Sequence, residues 1–259
     1  IIIILIGGLI GGVLALVSNL FVIGVQWFGQ QREASDMLSV TLAGETVSFS
    51  SVIFLWAAAA VVVVLKTGLG IARWAGPADS MYAAHQVNEP LDIKTGLAST
   101  LAAFASASGG GSVGQYGPIV HFGATMGIWV KRFISSRLSH EIYLGCGVAA
   151  AISAGFNAPI AGVIFAHEAI LRHFSVRAIA PITVASVSAS ALGNQWFPHT
   201  TTFEISSVLP PLAEVVPVLV MLAPAFALVA ICFMAALRYS AQTAAKMNTS
   251  PLLLPFIAA

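Results

Sequence analysis

The sequence predicts an all-α, polytopic membrane protein in which some of the helices are broken or re-entrant. Three observations predict it. Of 259 residues, 58% are hydrophobic and only 8% are charged, whereas a soluble domain carries about 25% charged residues to face water. The charges are also segregated: no Asp, Glu, Lys or Arg occurs in 95–130, 142–167 or 178–203, and each run can cross a hydrocarbon core, which takes ~20 helical residues. Finally, two of these runs carry helix breakers midway, Gly114-Gln115-Tyr116-Gly117-Pro118 and Phe156-Asn157-Ala158-Pro159.

Apolar runs and breakers set the elements in order. A first helix is expected over 1–30, with Gly7, Gly8, Gly11 and Gly12 offering a small-residue face for close helix packing. A polar loop follows over 31–47, then a second span over 48–72. Residues 73–94 are mixed, with a short helix expected near Asp79 to Val87. The run 95–130 is interrupted at 109–118, and the run 139–171 at 156–159. A further span is expected near 178–193, then a polar loop with Pro210 and Pro211, then a long last helix over 212–246.

The positive-inside rule tests this order, because Lys and Arg crowd cytoplasmic loops. With the amino end inside, loop 31–47 is outside with Arg32, Glu33, Asp36 and Glu45. Ten of the eleven basic residues then fall inside, provided that 95–130 and 139–171 each enter and return. The two breaks stand where those returns are needed.

Composition narrows function. A net charge of +1 presents no basic field for nucleic acid. Cys146 and Cys232 lie in apolar segments and read as small core residues, neither a disulfide framework nor a metal site. His167-Glu168 opens like the zinc motif H-E-x-x-H, but Leu171 stands where the second His belongs, so no metal is expected, and no cofactor either. Ser106, Ser108, Ser112 and Ser153 with His121 or His167 would be the raw material of an intramembrane serine hydrolase, yet no nucleophile motif frames them. Glu168 and Arg172 have the i,i+4 spacing of a helical ion pair. The chain opens without Met and reads as a piece of a longer protein, and its apolar start lacks the basic region and cleavage site of a signal peptide.

The breaks carry the chemistry. Unpaired backbone groups cost several kcal/mol in lipid, so a broken helix needs protein or an aqueous cavity around the break. Free N–H groups and a partial positive charge at helix amino termini favour an anion, and transporters place such termini near the midplane. Gly114 and Gly117 allow close backbone approach, and Pro118 suits a first helical turn. A tight bend without any ligand fits the same residues. A second turn, Ala75-Gly76-Pro77-Ala78-Asp79, leads into the short helix with Asp79 favourably placed in its first turn, though as an isolated motif it is weak and an ordinary loop fits it better.

The run Gly114-Gln115-Tyr116-Gly117-Pro118-Ile119-Val120, then His121-Phe122-Gly123-Ala124, resembles the G-[KR]-E-G-P signature of the CLC chloride channels and transporters. Residues 150–165, Ala-Ala-Ile-Ser-Ala-Gly-Phe-Asn-Ala-Pro-Ile-Ala-Gly-Val-Ile-Phe, are similar to that family's A-F-N-A-P-[IL]-A-G-x-x-F stretch. The resemblance spans the whole chain and corresponds to the amino-terminal half of a CLC subunit, the first half of an inverted repeat. It implies a CLC-like fold over 1–259, a homodimer with one pore per subunit in the lipid bilayer, and a small inorganic anion, chloride by default, as the transported partner. A bacterial inner membrane is the expected location.

The resemblance further implies an anion site at Ala75, Gly76, Pro77, Gly114, Gln115, Tyr116, Gly117, Pro118 and Ile119. The family's gating Glu is replaced by Tyr116, its signature Lys or Arg by Gln115, and the Ser of its filter by Ala75. The inner proton-relay Glu is replaced by Ala169. A phenol, with an ordinary pKa of about 10, neither competes as an anion nor shuttles protons at pH 7. The expectation is therefore passive anion permeation without proton coupling. The alternative is a transport-inactive membrane scaffold or regulatory relative.

Overall fold

The computed structural model describes residues 2–35, 39–42, 45–86, 91–114, 116–134, 138–197, 211–246, 250, 253 and 255–256. The helices are α1 (Ile2–Ala34), α2 (Ser50–Gly68), α3 (Pro77–His85), α4 (Ile93–Ser108), α5 (Tyr116–Phe133), α6 (His140–Phe156), α7 (Pro159–Phe165), α8 (Val176–Trp196) and α9 (Leu212–Lys246). A π-helical turn, Ala166–Leu171, continues α7. The chain falls into two compact units, 1–198 with 255–259, and 199–254.

The expected order of spans and breaks is present. Among the described residues, four helices are long and apolar enough to cross a membrane, α1, α2, α8 and α9. The interrupted runs resolve into the pairs α4/α5 and α6/α7, with no helix longer than 18 residues. The loop expected over 31–47 is partly replaced: α1 runs on to Ala34, and Ser39–Leu42 (β1) pairs antiparallel with Glu45–Ser48 (β2). The alternating Val and Thr of these strands suit a short ladder. The short helix begins two residues earlier than expected because Pro77 occupies its first position, where a missing N–H costs nothing. Pro210 lies outside the described residues.

Small residues let the helices of the first unit touch backbone to backbone. A Cβ at Gly7 would come within 2.9 Å of the Pro181 carbonyl oxygen on α8, and one at Gly11 within 2.5 Å of the Ala185 oxygen. Gly12 meets only the Leu192 side chain, and Gly8 meets nothing. The tightest seam joins α5 to α6, where a methyl on Gly123, Gly127 or Gly147 would overlap the facing backbone. Such approach gives dispersion contact that lipid cannot supply between larger side chains. Buried behind it are Tyr143, Leu144, Val148, Ile170 and Ile182. In α9, which forms most of the second unit, Pro217 and Pro224 sit inside the helix, each removing one backbone donor.

The break between α6 and α7 is satisfied by α8. Asn157 ends α6 in the left-handed conformation, φ +51°, which Asn tolerates better than most residues. Its Oδ1 accepts from Ser190 Oγ at 2.8 Å and from Asn194 Nδ2 at 3.0 Å. Ser186 Oγ donates to the Pro159 carbonyl at 2.8 Å, and Ser153 Oγ donates to the Ser186 carbonyl. The Asn157 side chain and the Pro159 carbonyl at the break thus find polar partners inside the protein, as hydrocarbon surroundings demand.

The turn at Leu171 corrects one sequence expectation. No ion pair joins Glu168 to Arg172, although both are exposed. The π-helical turn changes the residues-per-turn count, and Arg172 lies in the left-handed region at φ +56°, so the i,i+4 geometry is lost.

Candidate functional site

A cavity of about 510 Å³ is lined by Pro77, Tyr116, Gly117, Val120, Ile152, Phe156, Ala158, Ala161 and Phe165. It joins elements far apart in sequence through their beginnings. Pro77 is the first residue of α3, Tyr116 and Gly117 open α5, and Ala158 caps the start of α7. Three helix amino termini therefore face one space. Each carries roughly half a positive charge, and apolar walls leave that charge poorly screened by water.

Of the residues singled out in the sequence, Pro77, Tyr116 and Gly117 line it. Pro77 Cγ lies 3.5 Å from where a Gly117 Cβ would stand, so α3 and α5 start side by side. Gly114 precedes α5 and is exposed, while Pro118 and Ile119 lie in its first turn. The Ile119 side chain belongs to the core and is only 2% exposed. Gln115 lies outside the described residues. Ala169 stands in the π-helical turn and does not line the cavity.

Among the described residues lining the cavity, Tyr116 has the one polar side chain. Its ring stacks on Phe156, centroids 4.0 Å apart and planes at 28°, and lies within about 3 Å of the place a Gly155 Cβ would occupy. Phe156 was not singled out from the sequence for this role; only its place beside the Asn-Ala-Pro break could have signalled it.

Donors at the three termini are not equally free. Gly76 N donates to Asp79 Oδ2 at 2.8 Å, Ala75 N donates to Ser99 Oγ at 2.9 Å, and Pro77 has no N–H. The other oxygen of Asp79 pairs with Arg73. Burial works against the Asp79 charge, but the Gly76 N–H and the Arg73 guanidinium together hold its pKa below the ordinary carboxylate value. The α3 terminus is thus largely capped from within. At α5, no described residue accepts from the Tyr116 or Gly117 N–H.

Behind the cavity, Ser80 Oγ and His121 Nδ1 lie 2.7 Å apart, both buried, tying α3 to α5. This Ser–His pair was not among those considered from sequence. Ser106 and Ser153 instead give their hydroxyls to backbone carbonyls. His167 is fully buried, stacked on Phe174, with Nδ1 3.2 Å from the His173 carbonyl oxygen.

The family model described as voltage gated chloride channel matches residues 58–259. A ClcB-like protein of Ralstonia nicotianae is 26% identical over 146 residues, covering 54% of this chain and 34% of that protein. The voltage-gated ClC-type chloride channel ClcB of Yersinia pseudotuberculosis is 25% identical over 195 residues, covering 70% of this chain and 45% of that one. The crystal structure of a CLC-type fluoride/proton antiporter superposes with TM-score 0.75 at 19% identity, covering 96% of this chain and 60% of the other. The chain spans less than half the length of these two curated relatives.

Proposed function

This chain belongs to the voltage-gated chloride channel (CLC) family, and from that premise we propose that it forms the amino-terminal half of a subunit passing small inorganic anions, chloride by default. The observation that carries the reading is the meeting of the α3, α5 and α7 amino termini at one cavity. The anion is held by backbone N–H groups at the start of α5, with Tyr116 as the gate-position residue and Ala75, Gly76, Pro77, Gly114, Gln115, Pro118 and Ile119 completing the site. A phenol donates one hydrogen bond to an anion, and its ring narrows the path. Passive permeation is supported by the lack of a carboxylate at both Tyr116 and Ala169, since neither a neutral phenol nor a methyl group relays protons. Two such subunits form a homodimer in a bacterial inner membrane, a location supported by the bacterial sources of the relatives.

A transport-inactive relative is the second reading, and one observation favours it: the Gly76 and Ala75 N–H groups are already engaged. Chloride efflux from liposomes containing the full-length protein, with and without a proton gradient, separates the two. Efflux indifferent to the gradient is the expected result. Uphill proton movement driven by chloride would overturn the passive reading, and absence of efflux would establish the inactive one.

A further inference from the structure

A second cavity, of about 470 Å³, opens between α1, α2 and α4, walled by Phe28, Phe54, Val61, Leu101 and Phe104, with one polar side chain, Ser108. The Ser108 hydroxyl is buried and has no hydrogen-bond partner among the described residues, a cost that a ligand or water would relieve. Arg32 stands one turn beyond Phe28, on the same face of α1. Its guanidinium fills the space a Gly110 side chain would need, and Gly110 holds φ +97°. Cation and hydroxyl therefore mark the same end of the groove. Among the described residues no carboxylate pairs with Arg32; the ion pair is Arg73–Asp79.

Depth fixes the chemistry of the occupant. Arg32 lies at the end of the apolar span Ile4–Ala34, where α4 also ends and α2 begins. Trp27, 53% exposed and edge-on to Phe28 at 4.9 Å, suits the interfacial belt of aromatic residues. An unpaired guanidinium at headgroup level attracts phosphate, which it can grip with two parallel hydrogen bonds. Below it the groove is apolar, as an acyl chain requires.

We infer that this groove binds an anionic bilayer phospholipid, with its phosphate on Arg32, an ester carbonyl accepting from Ser108, and an acyl chain between α1, α2 and α4. The full-length protein, reconstituted in nanodiscs of equal phosphatidylglycerol and phosphatidylcholine and then released into mild detergent, reports retained lipid by native mass spectrometry. The wild type is expected to retain phosphatidylglycerol ~5-fold over phosphatidylcholine, the factor set by one basic residue near the surface. Arg32→Gln removes the preference and Arg32→Lys keeps it. Ala105→Phe, which fills the groove, lowers retention of both lipids at an unchanged unfolding midpoint. Equal retention by the wild type, a preference that survives Arg32→Gln, or full retention in a folded Ala105→Phe protein would each overturn the inference. If Ala105→Phe does not fold, the Arg32 pair decides alone.

Discussion

The Tyr116 ring lies stacked on Phe156, 4.0 Å between centroids, so the first residue of α5 rests on the last residue of α6. Ring contacts of this kind are worth about 0.5–1.5 kcal/mol beyond area burial. Stacking therefore holds the phenol against the cavity wall and fixes where its hydroxyl points. Tyr116→Phe is expected to keep the stack and lose one donor, weakening chloride binding by about 2–10-fold. Tyr116→Ala empties the path and is expected to raise liposome efflux. An efflux rate unmoved by either change would remove Tyr116 from the pore.

On the proposed reading, Asp79 and an incoming anion would compete for the same helix terminus. Asp79→Ala frees the Gly76 N–H and removes a negative charge from the start of α3. Tighter chloride binding is expected by isothermal titration, together with a loss of about 0.5–2 kcal/mol in stability from the missing cap. Weaker binding would mean that α3 serves as a strut rather than as part of the site.

Asn157 contributes through conformation and through hydrogen bonds, and two variants separate these. Asn157→Gly tolerates the left-handed backbone and loses only the bonds to Ser190 and Asn194, at a cost of about 1–2 kcal/mol. Asn157→Ala adds the left-handed penalty of about 1–2 kcal/mol. Thermal unfolding in detergent should rank wild type above Gly and Gly above Ala; equal midpoints for the two variants would show that conformation plays no part.

Asp92 gives stability a pH dependence. It caps α4, accepting from the Thr95 and Lys94 N–H groups, and chiefly the Thr95 hydroxyl, then these N–H groups and the Lys94 charge, lower its pKa despite partial burial. A depressed folded-state pKa contributes stability that is full above the unfolded value of 3.8 and is lost as pH falls through the folded value. Asp92→Ala should therefore cost about 1 kcal/mol at pH 7, with the difference from wild type closing as pH falls below 3.8. A gap that stays constant down to acid pH would show that the carboxylate charge is irrelevant to the cap.

The glycine seam predicts a sharp contrast. Gly147→Ala forces a methyl into the α5 backbone and is expected to cost more than the ~1–3 kcal/mol of ordinary overpacking. Gly8→Ala, facing open space, should be neutral or stabilise by about 0.5–1 kcal/mol through helix propensity. Expression and unfolding midpoints in one detergent check both.

The broken spans were legible because proline and asparagine stand inside charge-free runs, where nothing else explains them. Pro77 beside Gly117 and Tyr116 beside Phe156 follow from that reading only once the helices are folded back. What stayed hidden depends on tertiary pairing. Ser190 and Asn194 read as small packing residues on α8 until Asn157 is placed against them. Asp79 was legible as a first-turn acid, but its grip on the Gly76 N–H was not, because dipole favour and ligand competition have the same sequence signature. The β1–β2 hairpin was missed because Thr41 and Thr46 sit in a polar, charged stretch that reads as loop.

The partners of the α6–α7 break also impose an order on synthesis. Ser186, Ser190 and Asn194 follow the groups they satisfy by 27, 33 and 37 residues. At ~5–20 residues per second, the ribosome takes about 1–7 s to supply them. During that interval the turn at Asn157 lacks its donors and cannot settle in hydrocarbon without unmet hydrogen bonds. The re-entrant segment must then wait at the insertion machinery or at the headgroup layer until α8 emerges. Membrane integration of this region is therefore expected as a single late event, and a chain truncated before Ser186 is expected to leave the turn stranded.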